Sequence, residues 1–232
     1  MRIAALQKNS FIDYPGKLSA VLFLPGCNFT CPYCHNPSLV RPESSGEALT
    51  PEEVFDFLEK RRGMLEGVAL TGGEPTLQPD LPDLCRRIRE MGYPVKLDTN
   101  GSRPERLKAL MAEGLIDFVA MDLKTAPDRY APLIWPNARP EAIRESVRAI
   151  LGSGIPHEFR TTAVVPPMDA AAVEEIAALI EGADRYVLQR FSDARVLRPD
   201  FFSEDGGRAA TEAELAEFQA TVAPRVRECM IR

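Results

Sequence analysis

Leu18-Ser19-Ala20-Val21-Leu22-Phe23-Leu24 runs directly into Pro25-Gly26-Cys27-Asn28-Phe29-Thr30-Cys31-Pro32-Tyr33-Cys34-His35-Asn36. A short apolar run closed by turn residues reads as a strand buried on both faces, the kind that parallel sheets use. The same reading applies at 67–71, 94–99, 116–122, 158–165 and 185–190, and a helical pattern follows each run. Strands that alternate with helices in this way predict a parallel sheet joined by crossover helices. The helix starts are well signed. Thr50-Pro51-Glu52-Glu53 is a capping box with proline at the first helical position, and its apolar Val54, Phe57 and Leu58 stop before Gly63. A second helix carries Leu81, Leu84, Cys85, Ile88 and Met91 on one face before Gly92, and a third is expected from Ser102, with Glu105 near its start and Leu107, Leu110 and Met111 buried. A fourth shows Ile143, Val147, Ile150 and Leu151, a fifth follows an Asp169 cap, and a terminal helix begins at the Thr211 to Glu214 capping box.

The chain has 232 residues, 45% apolar and 27% charged, which is enough apolar side chain for one packed core. A full eightfold barrel typically takes about 250 residues, so six strand–helix units predict a partial (β/α)6, TIM-like barrel open along one side. Periodicity alone leaves an open doubly wound sheet as the other arrangement. One α/β domain over 1–232 is expected, with the barrel core at about 15–192 and a C-terminal loop and helix at about 193–232. Loops at 38–49, 126–138 and 192–208 are rich in Pro, Gly, Ser and charge and read as surface connections or lids. The balance of 28 Lys+Arg against 34 Asp+Glu leaves −6 and no basic tract, which argues against nucleic acid as a partner. No apolar run nears the roughly 18 residues of a membrane span, and the first residues lack the apolar stretch of a signal peptide. A cytoplasmic protein with no membrane partner is the expectation.

Unusual residues collect where the strands end. Cys27, Cys31 and Cys34 follow the first strand, Thr71-Gly72-Gly73-Glu74-Pro75 the second, Asp98-Thr99-Asn100-Gly101 the third and Asp122-Leu123-Lys124 the fourth. Parallel α/β folds bind ligands at the carboxyl ends of their strands, so these segments predict one site. Three of five cysteines within eight residues suit a metal centre better than a disulfide framework. On spacing alone an iron–sulfur cluster and a Cys3His zinc site using His35 or His157 both remain open, although adjacent Cys34 and His35 would be strained on one tetrahedral ion. Cys85 reads as core and Cys229 as incidental. Trp135, alone in a Pro-flanked loop, reads as packing or a substrate contact, and His157 as structural.

The Cys27-x3-Cys31-x2-Cys34 loop, with Tyr33 before its last cysteine, resembles the signature of radical S-adenosylmethionine enzymes, and Gly72-Gly73-Glu74-Pro75 resembles their methionine-binding motif. Ile12-Asp13-Tyr14-Pro15-Gly16-Lys17, Cys34-His35-Asn36-Pro37, Asp98-Thr99-Asn100-Gly101 and Asp122-Leu123-Lys124 further resemble the activating enzymes of glycyl radical enzymes, closest to those of anaerobic ribonucleoside-triphosphate reductase. The resemblance spans about residues 5 to 190. It implies a [4Fe-4S] cluster on Cys27, Cys31 and Cys34, whose remaining iron is chelated by S-adenosylmethionine. Reductive cleavage then gives a 5′-deoxyadenosyl radical that abstracts hydrogen. It implies cofactor contacts from Tyr33, Gly72, Gly73, Glu74, Asp98, Thr99, Asn100, Lys124 and Arg160, and a monovalent cation at Asp98, Thr99 and Asp122. Its implied partners are a glycyl radical enzyme and a small electron donor such as a flavodoxin or ferredoxin. Two departures stand out. The segment Val187-Leu188-Gln189-Arg190-Phe191-Ser192 lacks the histidine some activases carry there, and 35–70 has no cysteine for an inserted ferredoxin-like domain. The rival readings are a small-molecule enzyme resembling 7-carboxy-7-deazaguanine synthase and a zinc–thiolate binding module.

Overall fold

The computed structural model describes residues 2–40, 48–192 and 196–232. The chain is α/β with mostly parallel strands and gathers into two compact units, the first being Met1–Asn28, Ser38–Thr99 and Glu105–Val119. There β1 (Ala5–Ser10) pairs antiparallel with β2 (Ser19–Leu24), Leu6 opposite Leu22. After a short α1 (Pro37–Val40), α2 (Pro51–Lys60) leads to β3 (Gly67–Gly72), which lies parallel to β2 with Leu24 opposite Gly72. Then α3 (Leu81–Glu90) crosses to β4 (Val95–Thr99), parallel to β3 with Val68 opposite Val95, and α4 (Pro104–Ala112) follows. Val21, Leu22, Val68, Leu70, Val95 and Leu97 are fully buried on both faces of their strands, as parallel strands covered by helices require. The helices supply the cover through Val54, Phe55 and Leu58 of α2 and Leu81, Leu84 and Ile88 of α3. Each such side chain contributes about 1.5–3 kcal/mol of burial. The Thr50–Glu53 capping box forms in both directions.

The second unit holds Phe29–Pro37, Asn100–Pro104 and Ala120–Arg232. It takes over within β5 (Phe118–Asp122) and continues through α5 (Pro140–Leu151), β6 (His157–Thr162), β7 (Val164–Val165), α6 (Ala170–Leu179) and β8 (Tyr186–Gln189). It ends with α7 (Asp200–Ser203), β9 (Arg208–Ala209), α8 (Glu212–Val222) and β10 (Cys229–Ile231). Strand β8 lies parallel to both β6 and β10, with Phe159 and Cys229 opposite Tyr186, while β7 and β9 form a small antiparallel pair. Asp169 caps α6 by accepting from Ala172 N at 2.8 Å. No helix among the described residues is long and apolar enough to cross a membrane.

Several expectations shift. Strand β1 was not anticipated because Gln7, Lys8 and Asn9 are exposed and give no apolar alternation. β10 is too short for periodicity to register. The run 158–165 divides, with Val164 and Val165 turning to pair with Ala209 and Arg208. Helix α4 starts at Pro104 rather than Ser102, because proline disfavours helical backbone at the residue before it. The loop at 126–138 is no surface lid: Ala126, Tyr130 and Ile134 are fully buried. Of the other two loops, 41–47 and 193–195 lie outside the described residues.

Candidate active site

In the first unit the site is built from backbone. Gly73 N donates to Leu24 O at 2.8 Å and Glu74 N to Gly26 O at 2.7 Å, tying the glycine pair to the start of the cysteine loop. Gly72 has φ +124°, and a Cβ there would lie 2.4 Å from Leu24 backbone atoms; one on Gly73 would lie 2.0 Å from Gly26 O. Only glycine fits either position. Glu74 is fully buried, and its Oε1 accepts from Thr76 N at 3.0 Å, Thr76 Oγ1 at 2.5 Å and Thr99 Oγ1 at 2.8 Å. Those donors fix the carboxylate at the turn that closes β3. On β4 the buried Lys96 ammonium donates to Oδ1 of Asp98. Cys27 also belongs here, its N–H donating to Val40 O at 3.3 Å.

The second unit carries a charged cluster of its own. Asp122 accepts from Lys124 Nζ at 3.0 Å through Oδ2 and from Arg160 Nε at 2.8 Å through Oδ1. Burial alone would raise the Asp122 carboxyl, but Arg160 and then Lys124 outweigh it and hold the group well below the usual carboxylate range. Burial likewise works against the Lys124 ammonium, and Asp122 more than reverses it, with the Cys31 thiol adding to the effect, so the amine stays charged above its ordinary range. Glu158, itself buried, stands 3.8 Å from both Arg160 and Arg185. The backbone of Lys124 is pinned twice: Tyr33 donates to its carbonyl at 3.3 Å, and its N–H donates to Tyr130 Oη at 3.0 Å. Burial raises both phenols far above neutrality, so both keep their protons. Two fixed cations that share one carboxylate offer charge-assisted hydrogen bonds to an incoming carboxylate without reorganisation.

Cys31 and Cys34 sit in one turn, Cys34 N donating to Cys31 O at 3.0 Å. The loop is anchored by Thr30 N to Ile134 O at 2.8 Å and by Phe29, whose ring lies 5.6 Å from Tyr130 and 5.0 Å from Trp135. None of the cysteines is in a disulfide. Among the described residues no three His, Cys, Asp or Glu side chains converge on the point a single ion would occupy. A cubane makes no such demand, because each thiolate takes its own iron. His35 points its Nε2 to Ser192 O at 2.8 Å and stacks on Phe191 at 5.5 Å. Three thiols free of disulfides within eight residues of one loop are a donor set whose chemistry fits an iron–sulfur cluster.

Asn100 accepts from Ser102 N at 3.0 Å, and Ser146 donates to Gly101 O at 2.7 Å, holding the turn after β4. Cys85 lies in the core with its thiol pushed up to about 12 by burial, and burial also raises Cys229 to about 11. Trp135 packs on Phe29, and His157 contacts Ile155 O at 2.9 Å in the wall of its unit. Sequence reading missed Thr76, Lys96, Tyr130 and Glu158. The spacing Glu74-Pro75-Thr76 was the only available hint, as a turn whose acid can accept from the residue two ahead.

Residues 21–180 match the sequence profile of the radical SAM superfamily. MJ1227 of Methanocaldococcus jannaschii, provisionally named a glycyl-radical enzyme activating enzyme, is 40% identical over 190 residues, covering 78% of this chain and 76% of that protein. The pyruvate formate-lyase-activating enzyme of Clostridium pasteurianum is 31% identical over 132 residues, 55% of this chain and 54% of that one. Among solved structures, Streptococcus suis SuiB bound to its precursor peptide SuiA superposes with TM-score 0.67 at 14% identity, over 90% of this chain and 47% of SuiB, a likeness of fold.

Proposed function

Because the chain belongs to the radical SAM superfamily and is thus an enzyme that uses S-adenosylmethionine and a [4Fe-4S] cluster, we propose that it installs a glycyl radical on a partner enzyme. The observation that carries this reading is the 40% identity to MJ1227 over three quarters of both chains. We assign cluster ligation to Cys27, Cys31 and Cys34, the amino group of S-adenosylmethionine to the Gly72-Gly73-Glu74 turn, and its carboxylate to Lys124 and Arg160. When bound, the cluster supplies the electron that cleaves the sulfonium. The residues bind and orient. Gly72 and Gly73 let backbone approach closely, and Glu74, held by Thr76 and Thr99, accepts from an ammonium. Asp122 keeps the Lys124 ammonium charged and aims both cations. Tyr33 and Asn100 shape the turns that present the site, alongside Asp98 and Thr99.

The partner we assign is an anaerobic ribonucleoside-triphosphate reductase in a reducing cytoplasm, with a flavodoxin or ferredoxin as electron donor. A glycine suits attack because its Cα has no side chain to block approach. The test is anaerobic reconstitution, reduction, and electron paramagnetic resonance of candidate partners after addition of S-adenosylmethionine. An organic radical on the partner is expected. Turnover of a small metabolite with no radical on any partner would move the assignment to a small-molecule enzyme resembling 7-carboxy-7-deazaguanine synthase.

A further inference from the structure

The three side chains that the resemblance offers to a monovalent cation are each engaged by another group of this chain. In the first unit the Lys96 ammonium donates to Asp98 Oδ1, and the Thr99 hydroxyl donates to Glu74 Oε1 at 2.8 Å. In the second, Lys124 and Arg160 take one oxygen each of Asp122. Lys96 is the most telling of these. Lysine is almost never fully buried unless it is paired, and this one, the second residue of β4, is 1% exposed. Residues two apart in a strand share a face, so Lys96 and Asp98 start from the same side, and the flexible stem folds its ammonium back onto the carboxylate. An ammonium is a compact single positive charge with three donors, which is the service a bound monovalent ion would render to a buried carboxylate.

We propose that Lys96 is a tethered counter-ion: a positioning residue that fixes Asp98 and makes a free monovalent cation unnecessary there. The proposal rests on the reading of Asp98 as a cofactor-site residue. Any free ion would have to shed its water and displace an ammonium already held within the same strand. The chain therefore carries in its sequence a charge that would otherwise be drawn from solution.

The test uses the full chain in potassium, sodium and choline chloride at matched ionic strength. Without cofactor, the wild-type melting temperature is expected to be the same in all three. Lys96→Met takes the ammonium away from a buried carboxylate and should melt lower by roughly 6–20 °C in choline. Potassium or sodium should restore part of that loss, and Lys96→Met combined with Asp98→Asn should recover most of it in any salt. After cluster loading, wild-type affinity for S-adenosylmethionine should likewise ignore the choice of cation, while Lys96→Met should bind more tightly in potassium or sodium than in choline. A wild-type protein that gains tenfold or more in affinity from potassium or sodium overturns the proposal. So does a Lys96→Met variant that melts like wild type, or one whose deficit neither a small cation nor Asp98→Asn relieves. If the loaded protein binds S-adenosylmethionine in no salt, the functional reading fails, and the melting measurements still decide the role of Lys96.

Discussion

Arg160 Nε donates to Oδ1 of Asp122 at 2.8 Å, and the other oxygen of that carboxylate holds Lys124. One half-buried anion thus orients two cations, Arg160 on β6 and Lys124 just past the end of β5. Because the folded carboxyl sits below its unfolded value of about 3.9, its stabilisation is present in full above that pH and disappears as pH falls through the lower, folded value. Asp122→Asn should therefore be less stable than wild type at pH 7, and the gap should narrow as the pH is taken below about 4. Thermal unfolding across that range measures it; a gap that stays constant would show that Asp122 acts by packing alone.

Lys124→Ala and Arg160→Ala should each weaken S-adenosylmethionine binding about ten- to hundredfold, since a charge-assisted hydrogen bond is worth about 1.5–3 kcal/mol. Their clusters should assemble normally. Equilibrium binding by the reconstituted variants checks this, and unchanged affinity in both would remove these side chains from the carboxylate site.

Glu74→Ala removes the acceptor of three donors, Thr76 N, Thr76 Oγ1 and Thr99 Oγ1, in a buried turn. A stability loss of about 1–3 kcal/mol is expected by denaturant titration. Glu74→Gln keeps an acceptor oxygen for those donors but lacks the charge, so it should approach wild-type stability while still binding S-adenosylmethionine poorly. If Glu74→Gln binds S-adenosylmethionine as tightly as wild type, the carboxylate serves the turn and not the ligand.

Cys27→Ala, Cys31→Ala and Cys34→Ala should each abolish the visible iron–sulfur absorption of the reconstituted protein, because thiolates hold such clusters. Cys85→Ala should keep the band and lose only packing energy, as expected of a fully buried helix residue. A folded Cys85→Ala without the band would contradict the ligand assignment.

What could be read from the residues was whatever is local. The capping boxes at Thr50 and Thr211 span three residues and form as expected. The apolar runs of β2, β3 and β4 announce themselves because they are buried on both faces. The glycine pair could be singled out by its motif, yet its reason, a clash with Gly26 O, depends on a backbone 47 residues earlier. Contacts of that range stayed hidden: Thr99 on Glu74 is 25 residues away, and Tyr33 on Lys124 is 91. Tyr130 lies in a Pro- and charge-rich loop that reads as surface, yet it is fully buried and its hydroxyl accepts from Lys124 N. Lys96 was counted as part of a strand, and no pattern in the residues told a buried lysine from an exposed one.

Isotope transfer addresses the assigned chemistry most directly. The reduced, cluster-loaded protein would be mixed with S-adenosylmethionine and a glycyl radical enzyme carrying deuterium at the Cα of its radical-bearing glycine. Mass spectrometry would then follow the 5′-deoxyadenosine. Hydrogen abstraction from that glycine predicts one deuterium in the 5′-deoxyadenosine, in step with an organic radical on the partner. Unlabelled 5′-deoxyadenosine formed at full rate, with no radical on the partner, would contradict it.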